Sequence, residues 1–216
     1  MELSKRLSKA KTALVLEHPF IGNVAMNMPF KISEDVPTAA TNGKQVLFNP
    51  DFCADLNDEE MKFLIAHECM HPMMEHNFRR QNRDPRKWNQ AADYVINKLL
   101  VDEHIGKMPD CGLLSDDIYN AGNGTSDGIY NILPETQEGE NDPLDNCMDG
   151  EGSPAEQEQQ AAEWKVKVAQ AAQAAKMMGK MSAGLERMVE SILQPKVHWS
   201  DAVSYTHLTL PTTPYV

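Results

Sequence analysis

Apolar and polar positions follow two periods along this chain, and the changes of period mark its elements. Over residues 3–16, Leu3, Leu7, Ala10 and Leu14 recur at helical steps among Lys5, Arg6, Lys9 and Lys11. That pattern predicts an amphipathic helix ending before Pro19. Residues 20–30 hold short apolar pieces, which read as a strand. Asn42-Gly43 is a hairpin-turn signal, and Gln45-Val46-Leu47-Phe48 reads as the returning strand, closed by Asn49-Pro50. Glu59 and Glu60 then lead into the apolar run Phe63-Leu64-Ile65-Ala66, a helix that Asn57 caps with Glu60 completing a capping box.

A second helix is predicted from Lys87 or Trp88 to Val101, with Ala91, Ala92, Val95, Ile96, Leu99 and Leu100 on its inner face. Residues 106–128, rich in Gly, Asp and Asn, read mostly as loop, and 126–133 as a short helix. Residues 135–152 read as an acidic loop without the spacing of a calcium site. Ser153-Pro154 opens a long alanine-rich helix that runs to Lys176 and is interrupted at Gly179. Residues 184–193 form a last helix, ended by Pro195, so the C-terminal helices cover about 154–193.

The two helices around the capped segment carry the chemistry. His67-Glu68-Cys69-Met70-His71 is an H-E-x-x-H motif, whose histidines, four apart, stand on one face of a helix and can reach one metal ion. Glu68, beside the first, is placed to hold a water that the metal polarises. A hydrolytic zinc site needs a third protein ligand. Asp93, 22 residues after His71, is one candidate, because Asn89, Asp93 and Asn97 form a polar stripe on an otherwise apolar helix. Such a stripe, once buried, needs partners that a metal and its surroundings would supply. His76 is the alternative, if Pro72 ends the motif helix and turns the chain back.

Composition narrows the setting. The chain has 216 residues, 41% of them apolar, enough for one domain with a real core. A formal net charge of −12 argues against a nucleic-acid binder. The local cluster Arg79, Arg80, Arg83, Arg86 and Lys87 reads as a solvated helix end or loop, with substrate carboxylate binding as a second option. No run is apolar enough to span a membrane, and the N-terminus lacks a secretory pattern, so the expected location is cytoplasmic. Cys53, Cys69, Cys111 and Cys147 form no C-x-x-C pair and announce neither a disulfide framework nor a structural zinc site. Residues 203–216 break from the preceding composition, and 203–213 resemble the translation of a transposon-end sequencing adapter. The expected domain is therefore 1–202, with 203–216 a non-native tail and the natural gene continuing from near Ala202.

The chain also resembles a family. Pro19-Phe20-Ile21-Gly22, Pro37-Thr38-Ala39-Ala40-Thr41-Asn42-Gly43, Phe48-Asn49-Pro50, the H-E-x-x-H and Trp88-Asn89-x-Ala91-Ala92-Asp93-Tyr94-x-Ile96-Asn97 are similar to the bacterial and phage metallopeptidase domain that precedes a von Willebrand factor A-like domain. Val197-His198-Trp199 resembles the junction into that second domain. The resemblance implies an α+β, zincin-like fold, mainly helical with a small sheet or hairpin beside the motif helix. It implies Zn2+ held by His67, His71 and Asp93, with Glu68 as general base in peptide-bond hydrolysis. A peptide or protein would be the substrate, and a von Willebrand factor A-like domain outside this chain a partner. The alternative function is a catalytically silent, metal-stabilised interaction module for that domain or for a protein machine. A hydrolase of non-peptide amides is a third reading.

Overall fold

Val15 and Gly22 bring the first two helices into backbone contact. The computed structural model describes residues 2–135, 148–150 and 152–194, beginning with helices α1 (Leu3–Glu17) and α2 (Pro19–Met26). A Cβ on Gly22 would stand 2.4 Å from the Val15 Cα, so only glycine permits this approach. The strand expected over 20–30 is thus overturned. Pro19 opens a helix at its first turn, and Phe20, Ile21, Val24 and Ala25 are buried at helical rather than alternating spacing. Extended structure starts only at β1 (Phe30–Ile32).

β2 (Ala39–Thr41) and β3 (Val46–Phe48) form the expected hairpin, in a sheet of order β1-β3-β2. β3 is central, parallel to β1 with Lys31 opposite Leu47, and antiparallel to β2 with Ala40 opposite Leu47. At the turn the Asn42 side-chain oxygen accepts from the N–H groups of Lys44 and Gln45, at 3.0 and 3.1 Å. Gly43 supplies the left-handed residue, φ 81°.

After α3 (Pro50–Asp55) comes the central helix α4 (Asp58–Met73), which carries the motif. Its capping box is present as read, with Asn57 accepting from Glu59 and Glu60 and Glu60 accepting from the Asn57 N–H. Every residue from Met61 to Met73 is buried, because α1, α2, β2 and two helices later in the chain all pack on it. Short α5 (His76–Arg79) follows a reversal at Glu75, φ 62°. The second predicted helix is α6 (Pro85–Asp102), capped by Asp84, whose carboxylate accepts from Lys87 N–H at 2.8 Å.

The 106–128 stretch is less irregular than expected. Ser115 caps α7 (Asp116–Ala121) by accepting from Ile118 N–H, with Asp116 and Asp117 in its first turn. α8 (Ser126–Ile132), the long α9 (Pro154–Met177) and α10 (Ala183–Leu193) match their sequence patterns. Ser153 and Glu156 make a second capping box on α9, and Trp164 on that helix donates to the Gly43 carbonyl at 2.9 Å. Most of the acidic loop and the tail from 203 lie outside the described residues. The fold is α+β, mainly helical with a three-stranded sheet.

The basic cluster is largely turned inward onto acidic partners. Arg79 and Arg83 share Asp127, Arg80 pairs with Asp149, and Lys87 reaches Glu135. The Arg83 guanidinium also lies over the Trp88 ring, 4.7 Å from its centroid.

Candidate metal centre

Three ligand-type atoms from α4 and α6 converge in the protein interior. His67 and His71 project from one face of α4 with Nε2 to Nε2 3.1 Å. Asp93 Oδ1 on α6 lies 3.4 Å from His67 Nε2 and 3.5 Å from His71 Nε2. His71 and Asp93 have no exposed surface and His67 has 3%. Zinc bonds of about 2.0–2.1 Å in a tetrahedron put neighbouring ligand atoms about 3.3 Å apart. The three separations bracket that edge, so the donor set fits a small tetrahedral divalent cation. Among the described residues, Asp93 Oδ1 accepts no hydrogen bond from the protein. A fully buried carboxylate oxygen in that position requires an electrostatic partner.

The surroundings orient these ligands. Asn97, one turn beyond Asp93 and fully buried, sets its Oδ1 2.8 Å from His67 Nδ1 and donates from Nδ2 to the Leu113 carbonyl at 3.0 Å. Asn89, one turn before Asp93, approaches Asp93 Oδ2 at 3.4 Å, a long contact. The polar stripe read from Asn89, Asp93 and Asn97 therefore faces the two histidines. Burial raises the Tyr94 hydroxyl above its ordinary value, and the neighbouring Asp93 charge adds to the effect.

Pro72 lies inside α4, one residue past His71, and the helix continues to Met73. It removes the N–H that would bond the Glu68 carbonyl, and the helix ends just after it: Met74 N–H closes on Met70 O at 2.9 Å and Glu75 reverses the chain. The reversal brings His76 beside the centre, its ring 5.4 Å from that of His71. Its Nε2, however, is 2.9 Å from Ser126 Oγ, and the compact ligand cluster consists of His67, His71 and Asp93. Burial, followed by the fields of His71, Arg79 and His67, pushes the His76 pKa well below its ordinary value. Trp88 donates to the His76 carbonyl, and His67, His71, His76, Trp88 and Tyr130 form a continuous file of rings.

Glu68 is completely buried. Burial pushes the neighbouring Cys69 thiol up to about 12 and Cys53 to about 11, and the Glu68 charge raises both further. The nearest large cavity, about 520 Å³, runs between α6, α8 and α10 and reaches His76 and Ser126. His67, Glu68, His71 and Asp93 do not line it. Ser126 and Trp88 thus hold His76 beside the centre, contacts that no spacing along the chain announces. Their partners are a side chain fifty residues away and a main-chain carbonyl.

Fold and centre together define a mainly helical α+β domain built around a buried pair of histidines and a carboxylate, a site able to hold a metal. The chain belongs to the family described as "Putative metallopeptidase domain", whose model matches residues 2–127 and 132–209. Searches of curated proteins and of solved structures return no match. Among the described residues, no helix is long and apolar enough to cross a membrane.

Proposed function

We propose that this domain is a zinc-dependent metallopeptidase, with His67, His71 and Asp93 as ligands and Glu68 as general base. The observation that carries the reading is the buried triangle of two Nε2 atoms and one carboxylate oxygen with edges of 3.1, 3.4 and 3.5 Å. Family membership agrees with it. Zinc bound there supplies a Lewis acid that lowers the pKa of water toward ~7. Glu68 takes a proton as water attacks the peptide carbonyl and returns it to the leaving amine. Asp93 neutralises part of the cation's charge, and Asn97 holds His67.

One observation favours a second reading, a metal-stabilised interaction module without catalysis. Glu68 has no exposed surface, and neither it nor the three ligands line the large cavity. In that case the centre is a structural clasp, and a von Willebrand factor A-like domain is the partner it serves. Glu68→Gln separates the two. Zinc-loaded protein and this variant are incubated with a mixture of quenched fluorescent peptides. Hydrolysis by the parent, abolished in the variant with zinc content unchanged, supports the peptidase. No hydrolysis by either, at full zinc occupancy, favours the clasp.

A further inference from the structure

The Asn97 amide can stand in only one way. Its Nδ2 donates to the main-chain carbonyl of Leu113 at 3.0 Å, which aims Oδ1 at His67 Nδ1, 2.8 Å away. An amide oxygen only accepts, so the hydrogen of that second bond sits on the imidazole. We infer that Asn97 is a positioning residue, which fixes His67 as the Nδ1–H tautomer and leaves the Nε2 lone pair directed at His71 and Asp93. The inference rests on the metal reading above.

The opposite tautomer would set two acceptors against each other in a buried site and lose the hydrogen bond. The Leu113 carbonyl stands on the segment that joins α6 to α7. Its segment is pinned to the first turn of α4, where Lys107 N–H donates to the Glu59 carbonyl at 3.1 Å. Close to this, Gly106 approaches so tightly that a Cβ would meet the same carbonyl at 2.5 Å. The segment joining α6 to α7 is thereby linked, through one amide, to a ligand on α4. Asn97 is also neutral, so the only formal negative charge in the proposed ligand set and its amide contact is that of Asp93.

The test reads zinc affinity and tautomer, and needs no substrate. Parent, Asn97→Leu and Asn97→Asp proteins compete with a chromophoric chelator for zinc. Long-range 15N–1H NMR of the metal-free parent reports which nitrogen of His67 carries the proton. The expected result is the Nδ1–H tautomer in the parent and zinc affinity about 10–100-fold weaker in Asn97→Leu. Asn97→Asp keeps the acceptor for His67 but sets its second oxygen against the Leu113 carbonyl, so it recovers only part of that loss. Parent-like affinity in Asn97→Leu, or an Nε2–H tautomer in the parent, overturns the inference while the metal reading stands. A parent that takes up no zinc overturns both. Should Asn97→Leu fail to fold, the parent tautomer still decides the matter.

Discussion

The Trp88 indole donates its Nε1–H to the His76 carbonyl at 3.1 Å, tying the start of α6 to the turn that follows the motif helix. Asp93 is five residues further along α6, so this bond helps set the register in which the carboxylate meets the histidines. Trp88→Phe removes the donor and leaves a buried carbonyl short of a partner, at a cost of about 1–3 kcal/mol. Trp88→Ala also leaves a cavity and costs about 3–5 kcal/mol. Urea titration of each variant, followed by circular dichroism, checks the order.

Gly22 is required by space rather than by its dihedral angles. Added Cβ atoms would meet the Val15 Cα at 2.4 Å and the Leu14 carbonyl carbon at 2.7 Å, both main-chain atoms that cannot step aside. Gly22→Ala should therefore destabilise the fold by about 3 kcal/mol, at the upper end for overpacking. Ser8→Ala, on the exposed face of α1, should change little. A smaller effect for Gly22→Ala in the same urea titration would place α1 and α2 further apart.

Cys53 and Cys69 are pushed up to about 11 and about 12, chiefly by burial. At pH 8 a thiol with pKa near 12 is thiolate in only about one molecule in ten thousand. The sign is that of a group whose neutral form is favoured in the fold, so raising the pH toward 9 should leave both thiols unreactive. Peptide-resolved alkylation at pH 8 should label neither until the protein unfolds. Labelling in the native state would show that the packing around Glu68 opens readily.

Metal removal should lower stability sharply, because a chelated site leaves the Asp93 carboxylate buried beside two imidazoles. Zinc at a thousand times its dissociation constant adds about 4 kcal/mol. For a chain of this size that corresponds to roughly 8–16 °C in melting temperature. Differential scanning fluorimetry with and without excess chelator measures it, and His67→Ala should melt at one temperature in both conditions.

Much of the centre could be read along the chain because it is built from helical repeats. The four-residue steps His67–His71 and Asn89–Asp93–Asn97 each place their side chains on one face, and Asn57 with Glu60 announced where α4 starts. α2 was misread because it is only eight residues long and Asn23 is the one polar side chain between Phe20 and Ala25, too little to separate a helical period from that of a strand. The Leu113 carbonyl on Asn97 and the Met148 N–H on the Thr41 carbonyl left no trace, since every residue but proline carries the same main-chain groups. The position of His76 depended on the reversal at Glu75, a left-handed residue that a glutamate does not advertise.

The most direct test is bound metal, counted by native mass spectrometry after zinc loading and exchange into chelator-free buffer. The parent protein, Asp93→Ala and His76→Ala are compared. One zinc per chain in the parent and in His76→Ala, with loss or marked weakening in Asp93→Ala, is the result expected of a centre made by His67, His71 and Asp93. A parent that holds no zinc, or an Asp93→Ala variant that keeps a full complement, would contradict it.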